Sequence, residues 1–232
     1  MMLYFKKYYI LYFLLTAKFV YGQDSSTVLN SYYDAIGGKA QIDSIQTVIA
    51  KVKQSGLLTN ATAIWSLKRD YKFHIETLYK DGRNSVYCFN GSKYSGSNKM
   101  AVEMLGASPS KMQHISIINE LLFIPTSDLL QELPEIINDI KCNVLSYHDA
   151  EWGRDYKYFF DINTALLVAE ESNLLSQSYK ERKIYENYQP INGILFPMRT
   201  VEVYDVGETI TEYTEIILNP ELPDDIFDCN PE

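Results

Sequence analysis

The chain has 232 residues, 46% of them hydrophobic and 22% charged, with a formal net charge of −9. That length allows one domain or at most two, and the composition suits a globular protein with enough apolar material for a core. The acidic balance argues against nucleic acid and against electrostatic docking on anionic lipid head groups, though not against a lipid held by its tails.

The first 22 residues read as a leader. Lys6 and Lys7 form a basic start, and Tyr8 to Leu15 is an apolar run without charge. Val20-Tyr21-Gly22 offers a cleavage site, so Gln23 is the expected mature N-terminus. The apolar run is short for a membrane-spanning helix, and an uncleaved anchor is the alternative. The leader carries Lys6, Lys7 and Lys18 and no acid. Its removal leaves 18 of the 21 basic side chains against 30 acidic ones. The expected location is a bacterial periplasm, reached through a cleaved signal peptide.

Residues 24–36 read as a helix. Val28, Leu29, Tyr32, Tyr33 and Ile36 fall on one face at helical spacing, and Gly37-Gly38 stops it. Lys39 to Ser44 adds a short helical turn. The period then changes to two. Strands are expected over 47–58, with Gly56 a candidate bulge, then over 62–69, 71–78, 85–89 and 93–95. Asp81-Gly82 and Asn90-Gly91 supply the tight turns. Residues 97–138 break this pattern. Pro109 to Phe123 has a helical apolar stripe, and Ser127 can cap a second short helix carrying Leu129, Leu130 and Leu133 before Pro134. Such apolar helices need a surface to cover, and the face of a sheet is the economical one. Strands resume over 140–147, 154–161, 165–171, 179–188, 194–204 and 208–218, ahead of a Pro-rich tail. The 19 tyrosines suit sheets with one wet face. Residues 23–232 read as a single domain.

The order of elements resembles the LolA-like periplasmic lipoprotein carriers. YYDAIGGKAQIDSIQTV is similar to the family's opening helix, Gly-Gly and first strand. DINTALLVAEES, YENYQPINGILFPMRTVEV and IILNPELPDDIF are similar to its later hairpins and closing tail. The resemblance covers most of residues 24–228, and the middle region matches in element type alone. It implies an α+β fold: a strongly curved antiparallel sheet, an open half-barrel, with helices covering the concave face. It implies a non-catalytic carrier or binder of lipoprotein acyl chains or other lipids, with an inner- or outer-membrane protein as a further partner and no cofactor. The alternative is an envelope interaction or sensor module with a filled barrel. A closed lipocalin-like barrel is the rival fold, and the paired central helices speak against it.

In such a half-barrel the ligand would lie between sheet and helices, where each buried methylene is worth about 0.8 kcal/mol. The candidate lining residues are Trp65, Leu67, Tyr87, Phe89, Met100, Met104, Ile115, Ile118, Leu122 and Phe123. Each also fits ordinary core packing. The basic side chain that locks the lid in the carriers has no clear match; Lys68, Arg69 and Arg83 are candidates.

No hydrolase, nucleotide-binding or zinc-protease motif occurs, and no catalytic residue is expected. Glu170-Glu171, Glu132 with Glu135, and Asp224-Asp225 read as exposed strand ends and tails. His148-Asp149 reads as a solvated turn. Cys88, Cys142 and Cys229 are odd in number. One pair can form, and Cys229 lies in a tail able to reach back to a strand; free buried thiols are the other reading. His74, His114 and His148 are widely spaced and no Cys/His cluster occurs, so no metal site is expected.

Overall fold

The computed structural model describes residues 25–56, 60–69, 72–97, 129–150, 153–174 and 180–229. The expected leader, the helix over Pro109 to Phe123, and Met100 and Met104 lie outside them. Two helices open the described chain, α1 (Ser25–Ala35) and α2 (Lys39–Asp43). The first half of the sheet is β1 (Thr47–Gly56), β2 (Ala61–Lys68), β3 (Lys72–Tyr79), β4 (Asn84–Phe89) and β5 (Tyr94–Gly96). The second half is β6 (Leu130–Gln131), β7 (Glu135–Ile137), β8 (Ile140–Asp149), β9 (Arg154–Asp161), β10 (Leu167–Leu174), β11 (Lys180–Ile191), β12 (Ile194–Tyr204) and β13 (Gly207–Leu218). A 3-10 turn, Asp224–Phe227, lies in the tail.

All thirteen strands share one antiparallel sheet. Its order is β5-β4-β3-β2-β1-β13-β12-β11-β10-β9-β8-β6, with β7 also on β8. Each half is a meander of neighbours in sequence. The two meet where β1 pairs with β13, Val48 opposite Leu218 and Gly56 opposite Thr209. Among the described residues the edge strands are therefore the mid-chain pieces β5 and β6, and no described strand joins them.

Successive side chains of a strand point to opposite faces. In β1, Val48, Ala50 and Val52 are buried while Lys51 and Lys53 are exposed. We call the face with the buried set the inner face. The main apolar cluster lies there and joins Val48, Leu67, Phe73, Phe89, Leu145, Phe160 and Phe196 to Leu29, Tyr32 and Ile36 of the N-terminal segment. The helix α1 presents Val28, Leu29, Tyr32 and Tyr33 to that cluster, and the Tyr32 ring sits 5.3 Å from the Phe160 ring. The Gly-Gly that ends α1 has a second use. A Cβ on Gly37 would lie 2.5 Å from the Gly193 carbonyl oxygen, and the Leu195 amide donates to the Ile36 carbonyl at 2.8 Å. Glycine there lets the helix end dock on the β11–β12 turn. A smaller cluster of Ile137, Cys142, Val144, Phe159, Val168 and Ala169 packs separately from it.

Three expectations need correction. The helix expected from Ser127 is not formed over its described part. Leu130 and Gln131 pair with Ser146 and Leu145 instead, and only Leu129 is buried, with Leu130 and Leu133 exposed. Pro134 and the turn at Asn138-Asp139, both with positive φ, send Glu135–Ile137 back along β8 as a hairpin. The ladder groups of β8 thereby gain partners, and this outweighs local helix propensity. The bulge expected at Gly56 lies at Lys51/Val52, where Thr214 is the extra residue and its hydroxyl donates to the Lys51 carbonyl at 3.1 Å. Gly56 serves close approach, since a Cβ there would meet the Glu208 carbonyl oxygen at 2.2 Å. His148 and Asp149 are not a turn but the end of β8, with His148 Nδ1 2.7 Å from Asp155 Oδ1.

Candidate functional site

The four described candidate residues share the inner face of the first half. Leu67 faces Phe73 and Phe73 faces Phe89, which makes one row across β2, β3 and β4. Trp65, Ile75 and Tyr87 form the next row. The rows differ in burial. Leu67 and Phe89 are 1% and 3% exposed and belong to the packed core. Trp65, Ile75 and Tyr87 are only partly buried against it. The Trp65 ring stands edge-on to Tyr213 at 5.8 Å, and Tyr87 neighbours Tyr94 at 6.4 Å. Burial, and then the nearby Tyr87 hydroxyl, push the Tyr94 phenol up to about 12, so it stays neutral in any ordinary buffer. This end of the face is apolar, with the neutral Tyr94 hydroxyl among its side chains. Ile115, Ile118, Leu122 and Phe123, like Met100 and Met104, lie outside the described residues.

Behind these rows the tail straps the outer face. His74, Cys88 and Ser95 make an outward row on β3, β4 and β5. Cys88 is bonded to Cys229 with their Cα atoms 5.7 Å apart. His74 Nδ1 lies 2.6 Å from the Ile226 carbonyl oxygen, and the Ser95 hydroxyl donates to the Asp228 carbonyl at 3.0 Å. Phe227 is fully buried. Lys68 and Lys72 both reach Asp224, at 2.6 and 3.3 Å. Those two lysines, Lys68 before Lys72, hold the Asp224 carboxyl below its usual range. Among the described residues, His74, Cys88 and Cys229 are the only such group close enough together to hold a metal ion, and there the two sulfurs are bonded to each other. Cys142 is free and buried, and burial raises its thiol pKa, which makes it an inert thiol. The three basic candidates for a lid lock pair with acids: Lys68 with Asp224, Arg69 with Asp43 at 3.9 Å, and Arg83 with Asp81 at 2.7 Å.

The inner face of the second half has another character. One row reads Leu145, Tyr158, Glu170, Lys183, Glu202, Thr209 across β8 to β13. The next holds Tyr147, Tyr156, Ser172 and Glu181, with Asp149 opposite Arg154 beyond it. Lys183 Nζ lies 3.7 Å from Glu202 and Arg154 Nη1 lies 4.0 Å from Glu181. The Tyr185 hydroxyl donates to Glu170 at 3.0 Å and the Tyr204 hydroxyl to Glu202 at 2.7 Å. Burial first, and then Glu202, raise the Glu181 carboxyl, against the pull of Arg154 and Lys183. Burial, then Glu170, push the Tyr158 phenol well above its ordinary value. Two buried polar atoms here have no hydrogen-bond partner among the described residues, Arg154 Nε and Thr209 Oγ1. Apart from Glu170, read as an exposed strand end, and Asp149, read as part of a turn, none of these residues stood out from the sequence. The signal was present, since the Asn192-Gly193 turn sets Ile191 opposite Ile194, and counting back from that pair puts Lys183 opposite Glu202. Glu170 is thus not an exposed strand end, and Glu132 and Glu135 are both ion-paired to Lys157.

No protein-family model matches the sequence, and no curated protein matches it. Solved structures do. A LolA superfamily protein from Nitrosomonas europaea is 15% identical, with a TM-score of 0.55 over 89% of this chain and 98% of its own. An outer membrane lipoprotein-sorting protein domain from Vibrio parahaemolyticus is 10% identical, with a TM-score of 0.51 over 88% and 97%. A DUF1329 family protein from Desulfovibrio piger is 14% identical, with a TM-score of 0.50 over 86% and 96%. At such identities the likeness speaks for the fold alone, and the chain has the LolA-like fold.

Proposed function

We propose that this protein binds the acyl chains of a lipid or lipoprotein on its inner face, without catalysis, in a bacterial periplasm. The observation that carries the reading is the row Trp65, Ile75 and Tyr87. These large side chains point to the same face as the packed core, yet are only partly buried, on a sheet whose described strands do not close on themselves. An apolar tail laid there removes surface from water that the fold itself leaves wet. The fold is compatible and does not by itself assign the ligand. Met100, Met104, Ile115, Ile118, Leu122 and Phe123 would complete the lining, and a membrane protein would deliver or accept the cargo.

Native mass spectrometry of the purified chain tests this, together with titration by a neutral monoacylglycerol followed through Trp65 emission in a Trp152→Phe background. Bound lipid mass and a blue shift on titration are expected. A chain that carries no lipid and takes none up overturns the proposal. The second reading, an interaction module, draws on the outer face. A hollow of about 460 Å3 there borders Ile64 and Leu78, which are 42% and 53% exposed. It requires that the chain take up no lipid and that Ile64→Lys abolish a protein contact.

A further inference from the structure

We propose that His74, Cys88 and Cys229 form a zinc site whenever the Cys88–Cys229 bond is reduced. The tail is then held to the outer face by a disulfide in one redox state and by a metal ion in the other. The site lies on the face opposite the acyl-chain surface and does not depend on the lipid-binding reading. Along the chain the three residues are far apart, but the sheet and the tail gather them. His74 on β3 stands directly opposite Cys88 on β4, both on the outer face. The tail lays Cys229 upon them, with the Cα atoms of the two cysteines 5.7 Å apart. The ligand atoms of all three residues lie within 4.8 Å of one another. A tetrahedral zinc ion, with bonds of about 2.3 Å to sulfur and about 2.0 Å to nitrogen, needs ligand atoms about 3.5 to 3.8 Å apart. Once the bond is cut, the sulfurs reach that spacing by separating about 1.7 Å, a side-chain adjustment.

The surroundings of His74 are those of a metal-ligating histidine. Its Nδ1 and the Cys88 Sγ both approach the Ile226 carbonyl oxygen, at 2.6 and 3.6 Å, which puts Nδ1 on the side of the sulfurs. The other ring nitrogen, Nε2, lies 3.0 Å from Glu76 Oε1. A zinc-bound imidazole commonly donates its second N–H to a carboxylate, which fixes the ring and its tautomer. His74 therefore turns Nδ1 from the Ile226 carbonyl to the ion while Glu76 holds the far side of the ring. Cys88 is fully buried and Cys229 half-buried, so a water enters the fourth position from the Cys229 side. Thiolate and imidazole ligands suit zinc and not magnesium or calcium, and two thiolates balance its charge. A dithiol opens the site: it gives two electrons and two protons to the Cys88–Cys229 bond and becomes a disulfide itself. Zinc then displaces the two thiol protons to solvent, and His74 binds as the neutral ring protonated at Nε2. A disulfide oxidant takes the two electrons back, re-forms the bond and releases the ion.

The test uses the full chain, reduced with a dithiol and freed of it under argon. It is titrated with Co2+, a spectroscopic substitute for zinc, and then with Zn2+ in competition. One Co2+ per chain is expected, with sulfur-to-cobalt charge-transfer absorption in the near ultraviolet and the intense visible bands of a tetrahedral ion. Zn2+ should abolish these bands, and the chain with its bond intact should show none. His74→Gln should weaken Zn2+ binding about a hundredfold and Glu76→Gln about tenfold, while Cys142→Ala leaves it unchanged. Zn2+ should also slow proteolysis of the tail in the reduced chain about tenfold, because only the latched tail binds it. A reduced chain that binds no Co2+, or binds it without sulfur charge transfer, overturns the inference. So does unchanged affinity in His74→Gln, because the thiols of a loose or unfolded chain would bind without regard to that ring. Loss of the sheet's circular dichroism on reduction in the presence of Zn2+ overturns it as well.

Discussion

The two ends of the inner face are built by the same backbone and read in opposite ways. On β2 to β4 the inward rows are Leu67, Phe73, Phe89 and Trp65, Ile75, Tyr87; on β9 to β13 they are Tyr158, Glu170, Lys183, Glu202, Thr209. Both obey alternation, both border the main cluster, and both are antiparallel ladders. A sheet face is therefore chemically neutral until its inward positions are filled. Here one face has been filled twice, once for hydrocarbon and once for charge. A plain core would be apolar throughout.

The largest way to break the comparison is to remove what both ends share. Phe160 is fully buried and carries the Tyr32 contact, so Phe160→Ala should cost about 4 kcal/mol in urea unfolding and disturb both ends alike. Next comes the apolar end alone. The Cys88–Cys229 bond closes 141 residues, and Cys88→Ser with Cys229→Ser should cost about 3 kcal/mol, matched by adding a dithiol to the unaltered chain. Trp65→Ala should cost about 1 kcal/mol of stability while lowering monoacylglycerol affinity about tenfold, which separates the wet row from the packed one.

The smallest effect belongs to the polar end and depends on pH. The Glu181 carboxyl is raised in the folded state, by burial first and Glu202 second. Its ionisation therefore favours the unfolded chain, and stability falls as pH rises from the unfolded value of 4.5 through the folded one. Glu181→Gln should gain about 0.5 kcal/mol at neutral pH, and the gain should vanish below pH 4.5 in urea melts taken across that range. No such pH-dependent gain is expected from Trp65→Ala, so a gain there would erase the distinction between the ends.

Most of the ladder was legible. The turns at Asp81-Gly82 and Asn192-Gly193 and the inward Val48, Ala50, Val52 follow from local chemistry, and so does the face shared by Trp65, Leu67, Tyr87 and Phe89. What was not legible depends on partners far off in sequence. Leu130 and Gln131 look helical until β8 supplies a ladder for them. The bulge opposite Thr214 exists because β1 meets β13, and no local window contains both. Cys88 finds Cys229 only once the tail is laid across β3 to β5. The polar rows were the costliest miss. Glu170 looks solvated when read along its own strand, and only the pairing through Lys183 to Glu202 turns it inward.

The seam between β1 and β13 also sets an order of events. Each half is a chain of local hairpins, and such pairings form quickly because their loops are short. The seam is different, since Val48 must wait for Leu218. A ribosome or a translocation pore delivers the N-terminal end first, so the first half emerges with β1 as an unpaired edge. It stays so until β13 arrives. The tail then follows within ten residues or so, about the spacing from Leu218 to Cys229, and locks over the outer face. Truncation by a dozen residues would thus leave the sheet complete and unlatched, while truncation by two dozen would leave two half-sheets with no reason to meet.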